Sequence, residues 1–169
     1  SIILKGRLKM NVTIKPSKAI GTISAPPSKS MSHRLLICAG LSMGKTTIYS
    51  LAPSEDVFAT IDCLRALGVT IEDVPSKFAG RSALKVTGTG KLRAAEAGAD
   101  CGESGSTLRF FIPLGALLGE AFTFTGHGKL VSRPLNAYYD IFDKQALSYQ
   151  TEAEGHLPLT VNGKLKAGL

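Results

Sequence analysis

Charged and hydroxyl side chains cluster at the predicted start of a helix, in residues 27–34, which read PSKSMSHR. The first N–H groups of a helix have no partner within it and carry partial positive charge, so a helix start attracts anions. Lys29 adds a full charge there, and Ser30 and Arg34, four residues apart, share one helix face. These residues predict a phosphate or carboxylate site. Ordinary capping by Ser28 or Ser30, with the basic groups in solvent, explains the same residues equally well.

Residues 102–109, which read GESGSTLR, have the same design. Gly105 allows a ligand to approach the backbone closely, Ser106 offers a hydroxyl, and Arg109 lies one turn into the predicted helix. The alternative is a glycine-rich helix start with a capping serine and no ligand.

Arg133 is the third candidate, within Ser132-Arg133-Pro134. We predict that it lies at the start of a helix whose first turn contains Pro134, where a guanidinium can bind a carboxylate or phosphate through two parallel hydrogen bonds. Taken alone, this arginine is more simply explained as a surface residue beside a proline.

Residues 39–46, AGLSMGKT, resemble a phosphate-binding loop in which Ala39 replaces the usual first glycine. Such a loop must follow a buried strand and open a helix. The residues that follow, 46–53, are rich in β-branched side chains and end at Pro53, so they are poor helix formers. We therefore disfavour a nucleoside triphosphatase.

Histidines and cysteines suggest no metal site. No metal-ligand spacing relates the three histidines, His33, His127 and His156. The odd number of cysteines argues against a disulfide framework. Cys38 and Cys63 are predicted on apolar helix faces in the core, whereas Cys101 precedes the glycine-rich turn and has no neighbouring base to make it a reactive thiol.

The elements that must position these groups alternate between strands and helices. We predict helices over residues 30–43, 54–67, 104–118 and 133–146, and strands over residues 11–15, 19–25, 46–51, 69–72, 83–87, 121–125, 148–151 and 157–161. The first helix is predicted from the apolar spacing of Met31, Leu35, Ile37, Cys38 and Leu41. The second begins at a capping serine, Ser54, and stops at Gly68.

Three residue pairs, each 75 residues apart, indicate an internal repeat: Arg34 with Arg109, Gly44 with Gly119, and Gly88 with Gly163. The repeated unit is strand–helix–strand–helix–strand–strand, which predicts an α/β (α+β) fold and disfavours a dinucleotide-binding fold. Because the two candidate helix starts are equivalent in the repeat, a shared ligand cleft is favoured over two coincidences.

Composition limits the class of partner. The chain has 169 residues, 44% of them apolar, and a formal charge of +7. An anionic partner is expected, but no dense basic run, aromatic stacking motif, zinc motif or helix-turn-helix motif indicates nucleic acid. No apolar run is long enough to span a bilayer, the start does not read as a secretory signal, and the unpaired cysteines suit a reducing cytoplasm.

Taken in order, these segments resemble the 3-phosphoshikimate 1-carboxyvinyltransferase family, the 5-enolpyruvylshikimate-3-phosphate synthases. The stretches that carry the resemblance are 28–34, 44–46, 54–57, 64–69, 102–109 and 132–134. They extend over nearly the whole chain from Met10, and the ordered set is far more specific than any single stretch.

The resemblance implies two similar lobes built from the repeated unit as an inside-out α/β barrel, with the active site between the lobes. It implies that Lys29 is a catalytic residue that binds phosphoenolpyruvate, and that Ser30 and Arg34 bind shikimate 3-phosphate. The remaining positions carried over are Gly105 and Ser106, which would line the side of the cleft where phosphoenolpyruvate and the herbicide glyphosate bind, and Arg133, which would clamp phosphoenolpyruvate. Arg109 is assigned mainly to structure.

A sister family transfers the enolpyruvyl group to UDP-N-acetylglucosamine. It has Lys-Asn where this chain has Lys29-Ser30, and usually a reactive cysteine at the place of Gly128. Both differences favour the shikimate enzyme, and a non-catalytic module that binds phosphorylated ligands stays open as a further alternative.

The chemistry implied is addition followed by elimination in chorismate and aromatic amino acid biosynthesis, with no metal and no organic cofactor. We expect a partial, inactive fragment, because the family's second lobe supplies further ligands and the acidic catalytic residues. Residues 1–18 would be a leader and a strand of the other lobe, 19–92 the first unit and 93–169 the second. The full-length enzyme is expected to be a monomer, and the fragment to self-associate through uncovered strand edges.

Overall fold

The computed structural model describes residues 13, 15, 16, 18, 20–96 and 98–167. Its helices are α1 (Lys29–Leu41), α2 (Glu55–Ala66), α3 (Gly105–Gly115) and α4 (Asn136–Gln145), with short 3-10 turns at Gly128–Leu130 and Ala153–Gly155. Its strands are β1 (Met43–Tyr49), β2 (Thr70–Asp73), β3 (Ala83–Thr89), β4 (Gly98–Asp100), β5 (Phe122–Thr125), β6 (Ser148–Glu152) and β7 (His156–Asn162). The predicted mixed α/β fold is confirmed.

The strands form two separate sheets. The first has the order β1-β3-β2 and is antiparallel throughout, with Thr46 opposite Val86 and Ile71 opposite the same valine. The second has the order β4-β5-β7-β6, in which only β4 and β5 are parallel. Over the described residues neither sheet closes into a barrel, as expected for an incomplete lobe.

The second sheet and its helices follow the predicted order strand–helix–strand–helix–strand–strand, from β4 to β7. The first set lacks the opening strand, because residues 20–25 form no strand and Ile20 and Ile23 are 88% and 90% exposed. The strand predicted over 19–25 is therefore wrong over 20–25: no neighbouring strand satisfies the backbone there. The strand predicted over 11–15 lies largely outside the described residues.

A serine caps each of the first three helices. The Ser28 hydroxyl accepts a hydrogen bond from Met31 N at 3.3 Å, and the Ser54 hydroxyl accepts one from Val57 N at 3.3 Å. The Ser104 hydroxyl accepts one from Thr107 N at 3.2 Å. Each cap satisfies one of the backbone donors that a helix start leaves free, so short serine-led motifs determine where α1, α2 and α3 begin.

One apolar core joins both sheets and all four helices. Its largest fully buried side chains include four phenylalanines, Phe111, Phe122, Phe124 and Phe142. They lie on the second set of elements, whereas the core around α1 and α2 is aliphatic, with Leu36 and Leu64 completely buried. Burial of these side chains provides most of the favourable free energy of folding.

The buried face of α1 differs from the predicted one. Met31 and Leu35 are 52% and 45% exposed, Leu41 is 38% exposed, and Cys38 is exposed rather than in the core. The face turned inward consists of small, polar and aliphatic residues: Ser32, His33, Leu36, Ala39 and Gly40. Close packing of α1 against α2 explains why this face is buried.

Gly40 marks this close approach. A methyl group in place of its hydrogen would lie 2.9 Å from Leu64 Cδ2 and 3.3 Å from a methyl of Val69. A larger side chain would force α1 away from α2. The side of α1 that carries Gly40 and Ala39 therefore packs inward, although the larger apolar residues Met31, Leu35 and Leu41 lie outside it.

Candidate anion-binding site

Lys29, the first residue of α1, is held by the start of α2. Its Nζ donates a hydrogen bond to Asp56 Oδ2 at 2.6 Å, and the two side chains are 52% and 30% exposed. Asp56 lies in the first turn of α2, where the partial positive charge of the helix start stabilises a carboxylate. The cation predicted to bind an anion is thus paired with a carboxylate.

Ser30 and Arg34 are exposed on the same face of α1, as the spacing predicted. Arg34 Nη1 donates a hydrogen bond to the Ser30 carbonyl oxygen at 2.9 Å, and the guanidinium carbon lies 5.4 Å from the centre of the Phe110 ring on α3. A cation over an aromatic face at this distance is attracted by the ring electrons. Arg34 is therefore oriented toward the second repeat.

Gly105, the first residue of α3, lies beneath two guanidinium groups. A methyl group on it would lie 3.0 Å from Arg109 Nη1 and closer still to Arg133 Nη1. Arg109 Nη1 also lies 3.4 Å from the Gly105 carbonyl oxygen. Two cations thus converge on the start of a helix whose second residue is the exposed Ser106, and the lack of a side chain at Gly105 leaves room for them.

Arg133 reaches this place from a turn rather than from a helix start. The structure begins α4 at Asn136, so the predicted helix start near 133 is wrong and Pro134 lies outside the helix. Leu135 is 2% exposed and anchors the segment in the core, and Arg133 N donates to the Leu130 carbonyl oxygen at 3.1 Å. The arginine is carried by a tight turn after the 3-10 segment.

Gly128 begins that 3-10 segment with a φ of +59°. Any side chain there would be strained by this φ and would require the Glu103 carboxylate to move aside. The place where the sister family usually has a reactive cysteine is therefore adapted to glycine in this chain.

A buried polar cluster ties the three helix starts together. His33 Nδ1 lies 2.7 Å from Thr60 Oγ1, which lies 2.8 Å from Thr107 Oγ1. Thr107 Oγ1 in turn lies 2.7 Å from Ser104 Oγ, the cap of α3. All four residues are at most 1% exposed. The sequence indicated no role for either threonine, because Thr60 lies in none of the motifs and the motif around Thr107 does not indicate a contact with α2.

Burial lowers the pKa of His33 from its usual value, as do the neighbouring charges of Lys29 and Arg34, while Asp56 acts in the opposite direction. The imidazole is therefore neutral at neutral pH. Its Nε2 atom is buried and has no hydrogen-bond partner among the residues that the structure describes.

The groove of about 830 Å³ beside this site carries mainly negative charge. Six carboxylates line it, those of Glu55, Asp56, Asp62, Glu96, Asp100 and Glu103. An anionic ligand is repelled there, so the groove flanks the candidate site and is not the site itself.

Several other sequence predictions are resolved by the structure. Gly44, Lys45 and Thr46 lie within β1, and the strand follows a helix, so the phosphate-loop hypothesis is wrong. Cys101 is fully buried, which argues against a reactive thiol. Among the described residues, no group of three or more His, Cys, Asp or Glu could hold a metal ion, and no helix is long and apolar enough to cross a membrane.

Known proteins are similar to nearly the whole chain in sequence and fold. The sequence profile of the family described as EPSP synthase (3-phosphoshikimate 1-carboxyvinyltransferase) matches residues 14–168. The chain belongs to the EPSP synthase family. It is 52% identical over 157 residues to the 3-phosphoshikimate 1-carboxyvinyltransferase of Clostridium kluyveri and 48% identical over 161 residues to that of Clostridium novyi.

Coverage is unequal in these comparisons. The two clostridial matches cover 93% and 94% of this chain but 35% and 37% of the relatives, so the chain spans about a third of the EPSP synthases that it matches. A solved EPSP synthase from Acinetobacter baumannii superposes with a TM-score of 0.73 at 26% identity, over 85% of this chain and 32% of that one. The transferase family predicted from the ordered motifs is confirmed.

Proposed function

We propose that this chain forms part of the substrate site of an EPSP synthase, which transfers the enolpyruvyl group of phosphoenolpyruvate to shikimate 3-phosphate. The observation that carries the proposal is the convergence of the Arg109 and Arg133 guanidiniums on Gly105, at a helix start equivalent by repeat to the one that bears Lys29 and Arg34. Two cationic helix starts suit two anionic substrates.

The two helix starts bind different substrates. Ser30 and Arg34 on α1 bind shikimate 3-phosphate, and the ring of Phe110 supports the Arg34 side chain beneath it. At α3, Gly105, Ser106 and Arg133 receive phosphoenolpyruvate, whose carboxylate or phosphate matches the forked guanidinium.

Lys29 binds phosphoenolpyruvate only after it leaves Asp56. The lysine side chain is half exposed, and an ion pair at such a surface is stabilised by at most about 1 kcal/mol. A doubly charged phosphate can therefore replace the carboxylate. Once Lys29 has moved from Asp56 to phosphoenolpyruvate, its ammonium group stabilises the negative charge that develops on this substrate.

In the proposed reaction, the 5-hydroxyl of shikimate 3-phosphate loses its proton and attacks C2 of phosphoenolpyruvate while C3 is protonated. Inorganic phosphate then leaves C2 as a proton leaves C3, which restores the carbon–carbon double bond. The described residues contribute positioning and positive charge. Since the chain spans about a third of its relatives, we expect it to bind the substrates without complete turnover.

Amide chemical-shift mapping of the nitrogen-15-labelled chain tests the proposal. Shikimate 3-phosphate is expected to shift residues 28–34, and phosphoenolpyruvate to shift residues 104–109 and 133. Shifts confined to residues 44–46, or a response to UDP-N-acetylglucosamine with none to shikimate 3-phosphate, would overturn it. Turnover of both substrates by the chain would exclude a non-catalytic module.

A further inference from the structure

Four buried groups form a continuous hydrogen-bonded chain across three helices. It runs from His33 on α1 through Thr60 on α2 to Thr107 and Ser104 at the start of α3, with successive distances of 2.7, 2.8 and 2.7 Å. Both threonine hydroxyls also reach the Asp56 carbonyl oxygen, at 3.3 and 3.2 Å. Buried polar groups of this kind must satisfy one another, because water does not reach them.

The number of protons determines the state of His33. Five contacts join these groups, counting the two to the Asp56 carbonyl, and three hydroxyl protons satisfy at most three of them. A proton on His33 Nδ1 fills a fourth by donating to Thr60. In the opposite tautomer, with the proton on Nε2, only the three hydroxyl protons would be available for the five contacts. That tautomer would also bury an unpartnered N–H at Nε2, which costs more free energy than an unpartnered lone pair.

This hydrogen-bonded chain reaches two parts of the candidate site. At α2 it holds the Asp56 backbone, and the Asp56 carboxylate holds Lys29. At α3 it holds the Ser104 hydroxyl, which caps the helix that begins at Gly105. The hydrogen-bonded chain therefore determines the spacing between the part of the site near Lys29 and the part near Gly105.

We propose that Thr60 and Thr107 are positioning residues of the anion-binding site, and that they act through a hydrogen-bonded chain that starts at a neutral His33 protonated on Nδ1. The positioning role rests on the proposed function, whereas the tautomer of His33 does not. No ligand contact is assigned to these residues, since all of them are buried beneath the site.

Two variants at one position separate positioning from packing. Thr60→Val removes the hydroxyl and keeps the shape of the side chain, while Thr60→Ser keeps the hydroxyl and loses a methyl group. Calorimetry with phosphoenolpyruvate, the substrate assigned to Lys29 and Gly105, is expected to give about fivefold weaker binding for Thr60→Val and near-normal binding for Thr60→Ser. If packing alone mattered, the serine variant would bind no better than the valine variant.

Nitrogen-15 spectra of the histidine side chains provide a readout that needs no ligand. In the unmodified chain, His33 is expected to be protonated at Nδ1 and bare at Nε2, and Thr60→Val is expected to shift this equilibrium toward Nε2. Should Thr60→Val not fold, the unmodified chain still decides this point, because protonation at Nε2 would overturn the inference.

The failures of the two proposals differ. An unmodified protein that binds no phosphoenolpyruvate would overturn the proposed function and, with it, the positioning role. Binding that is equally tight in the unmodified chain and in a folded Thr60→Val variant would overturn only the positioning role.

Discussion

Lys29 Nζ lies 2.6 Å from Asp56 Oδ2, so the first cation of α1 is held by the first turn of α2. Both side chains are partly exposed, and the pair adds little to stability. The pair matters for function instead, because Lys29, which is expected to bind phosphoenolpyruvate, is already paired with Asp56. Asp56 both orients Lys29 and opposes the arrival of an anion.

Asp56→Asn is expected to tighten the binding of inorganic phosphate about threefold at low salt, because it removes a negative charge a few ångströms from the site. Asp62→Asn is the matched control, since Asp62 lies on the same helix and pairs with Arg65 instead. Calorimetry at two salt concentrations measures both. Weaker phosphate binding by Asp56→Asn would mean that the carboxylate serves the ligand rather than competing with it.

Substitution by alanine at two glycines is expected to change the free energy of unfolding in different ways. Gly105→Ala places a methyl group against the ends of two flexible arginines, so the free energy of unfolding is expected to stay equal or rise by about 0.5 kcal/mol. Gly88→Ala places one against the carbonyl oxygens of Ala39, Gly40 and Ser42, and a loss of about 3 kcal/mol is expected.

Urea unfolding of both glycine variants checks this contrast. A large loss of stability in Gly105→Ala would show that the arginines are fixed in place rather than free to move aside.

The three cysteines are expected to react at different rates. Cys38 is exposed, whereas Cys63 and Cys101 are buried with their sulfur atoms 3.8 Å apart. The hydrogen bond with Cys101, together with burial, raises the pKa of the Cys63 thiol, so its thiolate is scarce. A thiol reagent should label one cysteine rapidly in the folded chain and all three in denaturant, and Cys38→Ser should abolish the rapid phase. Rapid labelling of two cysteines would contradict the buried pair.

His33 is expected to make stability depend on pH. Because its pKa in the folded chain is lowered, the unfolded chain binds a proton more readily, and the free energy of unfolding falls as the pH drops below about 6.5. The charges that face it are those of Lys29, Arg34 and Asp56. Urea unfolding from pH 7.5 to 5.5 should show this fall, and His33→Asn should reduce it.

A His33→Asn variant with the same fall in stability between these pH values would contradict this assignment and place the titrating group elsewhere. Variants of His127 and His156, which lie outside the buried chain, provide the comparison.

Local signals were enough to predict much of the fold. The starts of α2 and α3 lie within one residue of the predicted positions, because a capping serine acts on its own helix. The start of α4 was wrong because Pro134 suits an extended turn as well as a first helical turn. The buried face of α1 was wrong because apolar spacing does not say where a neighbouring helix needs small residues, as it does at Gly40.

The residues of the candidate site could likewise be predicted only where a local motif indicates them. Lys29, Arg34 and Gly105 could be named because each stands in a local motif. The contact between Thr60 and Thr107 could not, because 47 residues separate them and only the packing of α2 against α3 brings them together. The same applies to Arg133 and Gly105, which meet across a turn and a helix start.

The most direct test of the account is a calorimetric titration of the chain with shikimate 3-phosphate, using the Lys29→Ala, Arg34→Ala and Lys45→Ala variants. Lys45 is an exposed lysine within β1 and serves as the control of equal charge. We predict one saturable site that weakens about tenfold in Arg34→Ala and less than about twofold in Lys45→Ala, with an intermediate loss in Lys29→Ala, because Lys29 is assigned to phosphoenolpyruvate but places its positive charge beside Ser30. Equal losses in all three variants, or no loss in Arg34→Ala, would contradict it.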